Sequence, residues 1–118
     1  MLDVAQRNQP WCVGVPFLAA DATKAIRVSP GAGKALVITS IVISITTSAA
    51  QAIDLEGVGG AVEVIKLPAS LPVGIYSFNL EVGIQLTANV GFSYIPAGAG
   101  PAGFIIAEGY VVSTTFNT

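Results

Sequence analysis

The stretch "IQLTANVGFSY", residues 84–94, decides how the chain is read. Ile84, Leu86, Ala88, Val90, Phe92 and Tyr94 fall on one side of a period-two pattern, and Gln85, Thr87, Asn89, Gly91 and Ser93 on the other. Successive side chains of a β-strand point to opposite faces, so this alternation specifies a half-buried antiparallel strand. Ile84, Leu86, Val90 and Phe92 are the expected core residues. Gln85, Thr87 and Asn89 are expected to face solvent or another protomer. A one-residue slip would invert the whole set.

Outward from this stretch the same phrasing recurs. Strand-like runs are "WCVGVPFLA" from Trp11, "KAIRV" from Lys24, "ALVITSIVISIT" from Ala35 and "AIDLE" from Ala52. They continue with "VEVIKL" from Val62, "IYSFNLEV" from Ile75 and "FIIAEGYVVSTTF" from Phe104. Between them lie turn-forming groups of Gly and Pro: "SPGAG" at Ser29, "GVGG" at Gly57, "PASLPVG" at Pro68 and "PAGAGPAG" at Pro96. No segment sustains a helical period, which argues against βαβ units and a parallel sheet. The expected fold is all-β: an antiparallel β-sandwich of about eight strands, jelly-roll-like, with an immunoglobulin-like strand order left open. At 118 residues the chain suits one sandwich domain over residues 11–118, preceded by a polar N-terminal arm at residues 1–10.

Charge is scarce. Only 10% of the residues are charged, against about 25% in an ordinary soluble domain, while 53% are hydrophobic. By surface scaling a folded monomer of this size exposes roughly 6,000 Å², and so few ionic side chains clothe it thinly. Hydroxyl and amide side chains must cover the remainder, or copies of the chain and larger partners must. The net charge of −2, without any Lys/Arg cluster, excludes a nucleic-acid-gathering field. The charge-free run from Ala35 to Ile53 is as long as a membrane helix, but its Ile, Val, Ser and Thr content favours strands, so no membrane span is expected. "MLDVAQRNQPW" has no apolar run after its charges, and therefore does not read as a signal peptide; synthesis in a cytoplasm is the expectation.

The chemistry-bearing residues point away from catalysis. Histidine is absent, which removes Ser-His-Asp and Cys-His nucleophile systems and the main ligand of zinc and cupin sites. The single cysteine, Cys12, excludes an internal disulfide, and its apolar neighbours suggest a buried, inert thiol. "VSPGAGKAL" at residues 28–36 contains Gly33-Lys34, yet Ala35 replaces the hydroxyl residue of a phosphate loop and a strand replaces its helix; a glycine-rich turn is the reading. Asp54 and Glu56 share one strand face and approach Glu63 across the "GVGG" turn. No aromatic platform accompanies them, so a solvated face is expected ahead of a glycosidase pair or a weak calcium site. No cofactor, metal or catalytic residue is assigned. Among the aromatic residues, Trp11 follows Pro10 and is the candidate to point outward, joining Gln85, Thr87 and Asn89 as expected interface residues.

The combination of "GKALVITSIVIS", "LEVGIQLTANVGFSYI" and "GFIIAEGYVV", spanning about residues 30–113, resembles small all-β virion proteins of tailed bacteriophages, in particular those that decorate or cement icosahedral heads. That resemblance implies a binding protein located in the virion. Its copies would cluster, as a homotrimer, over junctions of the major capsid protein. It brings no catalytic residues. A glycan- or receptor-binding sandwich module of a tail or head fibre is the alternative.

Overall fold

The computed structural model describes residues 9–18, 24–49, 52–58, 62–96 and 101–114. The strands are β1 (Gln9–Phe17), β2 (Lys24–Arg27), β3 (Lys34–Thr47), β4 (Ile53–Gly57), β5 (Glu63–Leu67), β6 (Gly74–Gln85), β7 (Phe92–Pro96) and β8 (Ala102–Ser113). They form two four-stranded antiparallel sheets, ordered β1-β8-β3-β6 and β2-β7-β4-β5. The first strand pairs with the last, the second with the seventh, the third with the sixth and the fourth with the fifth. This nesting is one long antiparallel ribbon folded over onto itself, the jelly-roll arrangement. The immunoglobulin-like order is thereby excluded.

Alternation explains why each sheet has a dry side. Along β3, Leu36, Ile38, Ile41, Ile43 and Ile45 are buried and turn toward the second sheet. Ile105, Ala107 and Val111 of β8 and Phe17 of β1 join them, and β2, β4, β5 and β7 answer with Ile26, Ile53, Leu55, Leu67, Phe92 and Tyr94. Burying each large aliphatic or aromatic side chain contributes on the order of 1.5–3 kcal/mol. The apolar content detected in the sequence is therefore partly spent on this single core.

Two bulges break the β3 ladder, between Ile38 and Ser40 and between Ile45 and Thr47. Each is faced by a glycine of β8: Gly109 opposite Ile38 and Gly103 opposite Ile45. A Cβ on Gly109 would overlap the Val37 carbonyl oxygen, and one on Gly103 the Ser44 carbonyl oxygen. Bulges bring backbones closer than regular pairing allows, and only glycine leaves the room.

Residues 84–94 are not one strand. Ile84 and Gln85 end β6, Phe92 to Tyr94 open β7, and a turn at Ala88 and Asn89 separates them. Asn89 adopts φ 60°, its N–H donates to the Lys34 carbonyl at 2.8 Å, and Ser29 Oγ donates to its Oδ1 at 2.6 Å. Asn is among the few residues that tolerate this left-handed conformation. The alternation survives because the connection crosses the end of the sandwich over the same core: Leu86, held by its N–H to the Leu36 carbonyl at 2.8 Å, plugs that end. Leu86 and Phe92 are buried as expected, whereas Ile84 and Val90, at the margins of the crossing, are only half-buried.

Residues 1–8 of the expected N-terminal arm lie outside the described residues; Gln9 and Pro10 belong to β1. Residues 97–100 of the Pro96–Gly103 loop also lie outside them.

Candidate functional site

The outer faces of the two sheets differ in chemistry. On the β2-β7-β4-β5 sheet, Asp54 and Glu56 alternate with the buried Ile53 and Leu55 and so point outward. Register places Lys66 opposite Asp54 and Glu63 opposite Glu56. Carboxylate oxygens of Asp54, Glu56 and Glu63 all lie within 4.8 Å of one another. Burial pushes the Glu56 carboxyl above its ordinary value of 4.5, and the charges of Asp54 and Glu63 push the same way, against a smaller pull from Lys66. Hydrogen bonding with Asp54 adds a still smaller push upward. Asp54 Oδ1 is buried without a hydrogen-bond partner among the described residues. Carboxylates this close can share a proton or hold a hard cation through oxygen. The sequence spacing foresaw their convergence, and the ladder supplies it.

The outer face of the β1-β8-β3-β6 sheet is nearly bare of charge. Three levels can be followed across its strands by register. Pro16, Phe104, Ser44 and Ile75 form the first, Gly14, Ile106, Val42 and Ser77 the second, and Cys12, Glu108, Ser40 and Asn79 the third. Phe104 is 40% exposed, Ile106 42% and Ile75 73%, and Glu108 is the one charge in these levels. Gly14 gives the Phe104 ring its place: a Cβ there would lie 2.8 Å from Phe104 Cε1. The far end of this face is closed. Ala35 and Val37 are buried there, and Gly83, in a four-residue excursion of β6 between Asn79 and Ile84, lies against the Val37 side chain. Val82 projects from that excursion, 92% exposed.

Four interface residues are expected from the sequence, and the fold does not gather them. Gln85, Thr87 and Asn89 are exposed. Gln85 lies on β6 and the other two lie in the turn that follows it, where the Asn89 side chain is occupied by Ser29. Trp11 is on β1, the opposite edge of the sheet, about 14 Å away at normal strand spacing. Its ring turns inward, packs against the core, and buries an indole N–H without a partner among the described residues. Cys12 takes the outward position instead and is exposed, contrary to the buried thiol expected from its apolar neighbours. β1 is an edge strand whose residues alternate, so an apolar sequence context does not bury every member. With Pro10, Trp11, Thr39, Glu108 and Gly109, Cys12 lines a shallow groove of about 340 Å³.

No protein-family model matches the sequence, and no curated protein matches it either. The Gly33-Lys34 pair lies where a turn at Ala32 and Gly33 enters β3, with Gly31 at φ 108° and Gly33 at φ 74°. A strand follows, so no helix amides converge on a phosphate there. Among the described residues no helix is long and apolar enough to cross a membrane.

What sequence reading missed is the pairing of Phe104, Ile106 and Ile75 on one face. The signal lies in "FII" near the start of β8, where apolar residues occupy both parities of the alternation.

Proposed function

We propose that the protein is a structural component of a virus particle, a capsid decoration or cement protein that binds the icosahedral head and stabilises it as an oligomer. The observation that carries this reading is the unequal clothing of the two faces. One outer face concentrates Asp54, Glu56, Glu63 and Lys66, while the other presents Phe104, Ile106 and Ile75 beside Gly and Ser. Exposed apolar patches on small proteins mark contacts with other proteins. A shell repeats each contact many times, so modest pairwise affinity suffices. The partners in this reading are copies of the chain itself, three in the arrangement the resemblance implies, and the major capsid protein. Its place is the virion, and its activity is binding rather than catalysis.

The test mixes the purified protein with expanded phage heads stripped of accessory proteins and follows co-sedimentation and thermal rupture. Saturable binding with a raised rupture temperature is expected. Protein that stays in the supernatant, together with retention on immobilised glycans, would replace this reading with the glycan-binding module.

A further inference from the structure

We infer that the pocket at one end of the β2-β7-β4-β5 sheet is a receptor for a chain terminus: it takes the last residue of a partner polypeptide, an apolar side chain together with its free carboxylate. This pocket is separate from the self-association and head binding proposed above, and stands or falls independently of them.

Three connections meet to make the pocket, a concavity of about 340 Å³. Val28 and Ser29 follow β2, Val58 follows β4, and Asn89, Val90 and Gly91 precede β7. Hydrogen bonds tie these connections together. The Val58 N–H donates to the Gly91 carbonyl at 2.9 Å, Ser29 Oγ donates to Asn89 Oδ1 at 2.6 Å, and the Asn89 N–H donates to the Lys34 carbonyl at 2.8 Å. Gly91 lets them close up, since a Cβ there would lie 2.9 Å from the Arg27 carbonyl oxygen and 3.1 Å from the Ser29 nitrogen. A frame fixed by its own backbone is preformed, and its volume lies in the lower part of the range for ligand pockets, about 300–1,000 Å³.

The lining is apolar with one cation. Ala25, Val58 and Val90 supply walls, and Arg27 stands among them. Among the described residues the Arg27 guanidinium makes one hydrogen bond, from Nη1 to the Val28 carbonyl at 3.1 Å, and no ion pair. A guanidinium carries five N–H donors in a planar fork that matches a carboxylate, so most of its capacity is unused. Ser93, 2% exposed, also lines the pocket: the alternation that sends Phe92 and Tyr94 into the core sends Ser93 to the outer side, opposite Ala25. An apolar pocket with a few convergent polar groups selects a ligand that is apolar at one end and, with a free guanidinium, anionic at the other. Glu56, the β4 register partner of Ser93, disfavours a second negative charge nearby, so a carboxylate suits the site better than a phosphate.

The rim separates a chain terminus from a free acid. Val28 and Val58 are exposed beside the opening. A free acid filling the pocket would leave both wet, whereas the residues that precede a terminal carboxylate would cover them. Capture of a terminal carboxylate is a recurring mode of peptide recognition.

The probes are fluorescein-labelled peptides, Gly-Ser-Gly-Ser followed by Val, Leu or Phe, each made as the free acid and as the carboxamide. Anisotropy titrations up to millimolar protein should show saturable binding of at least one free acid, and a loss of about tenfold or more for its carboxamide, the size expected when charge-assisted hydrogen bonds are removed. Arg27→Gln should weaken the free acid by a similar factor and leave the carboxamide unchanged. Ala25→Trp, at an exposed position on the wall, should fill the pocket and abolish binding with the guanidinium still present, which supplies a second variant should Arg27→Gln misfold. Glu81→Gln, outside the pocket, should change nothing. No saturable binding of any of the three peptides, a carboxamide bound as tightly as its acid, or binding that survives both pocket variants overturns the inference. Isovalerate competing as well as unlabelled peptide would refute the terminus reading in favour of a free acid, and inorganic phosphate doing so would refute the carboxylate preference.

Discussion

Phe17 on β1 and Tyr94 on β7 meet across the sandwich with ring centroids 5.0 Å apart and planes inclined at 59°. Both are fully buried, so this tilted contact fastens the two sheets near one corner. Phe17→Ala should cost about 3–5 kcal/mol, as truncation of a buried aromatic does. A double-mutant cycle with Tyr94→Leu, read by urea denaturation, should return a coupling of about 0.5–1.5 kcal/mol. Additive losses would show that the rings are neighbours without being partners.

The crossing from β6 to β7 makes unequal demands on its apolar residues. Phe92→Ala is expected to remove about 3–5 kcal/mol. Ile84→Ala, at a half-buried position, should remove roughly 1–2 kcal/mol. Equal midpoints for the two variants in a denaturation series would contradict this placement.

Gly109→Ala should destabilise more than a methyl group normally does, by about 3 kcal/mol or more. The added carbon meets the Val37 carbonyl, a backbone group fixed by its own ladder, and has no side chain to push aside. Thermal melting compared with Gly14→Ala supplies the contrast, since the obstacle at Gly14 is the Phe104 ring, a side chain able to swing.

Acidity acts through Glu56. Its folded carboxyl titrates above the ordinary 4.5 because burial and the neighbouring Asp54 and Glu63 disfavour its charge. A group whose pKa is raised by folding contributes stability below the unfolded value and loses it as pH rises through the folded one. Stability from Glu56 should therefore decline as pH rises from 4.5 through its folded pKa. Glu56→Gln should flatten that slope, and Glu63→Gln should reduce it by removing one repelling charge. Denaturant midpoints collected at closely spaced pH values provide the check.

The strand segments were readable because most alternate apolar and polar residues and are bounded by Gly or Pro, and antiparallel pairing followed from the lack of any segment with a helical period. Strand order was not readable, since Leu36 or Ile105 would be equally apolar beside any neighbour. The stretch 84–94 misled for a physical reason: Leu86 from the connection and Phe92 from β7 enter one core, and the turn at Asn89 happens to preserve their spacing. Asp54, Glu56 and Glu63 could be grouped from sequence, because a hairpin brings nearby positions together. The Phe104, Ile106 and Ile75 face could not, because register between β8, β3 and β6 joins residues distant in the chain. Trp11 and Cys12 were exchanged in orientation, a question of parity that an apolar edge strand leaves undecided.

The nested pairing also governs the order in which the molecule can come into being. Among the described strands only β4 and β5 are both partners and neighbours in sequence, and every other pair must wait for progressively larger segments to return. β8 lies between β1 and β3, so the first sheet has no interior until the last strand is available. During synthesis the edge of β3 that pairs with β8 stays open until the last strand is translated. Completion of the first sheet is thus a late event, and distant contacts of this kind typically form on the millisecond-to-second scale.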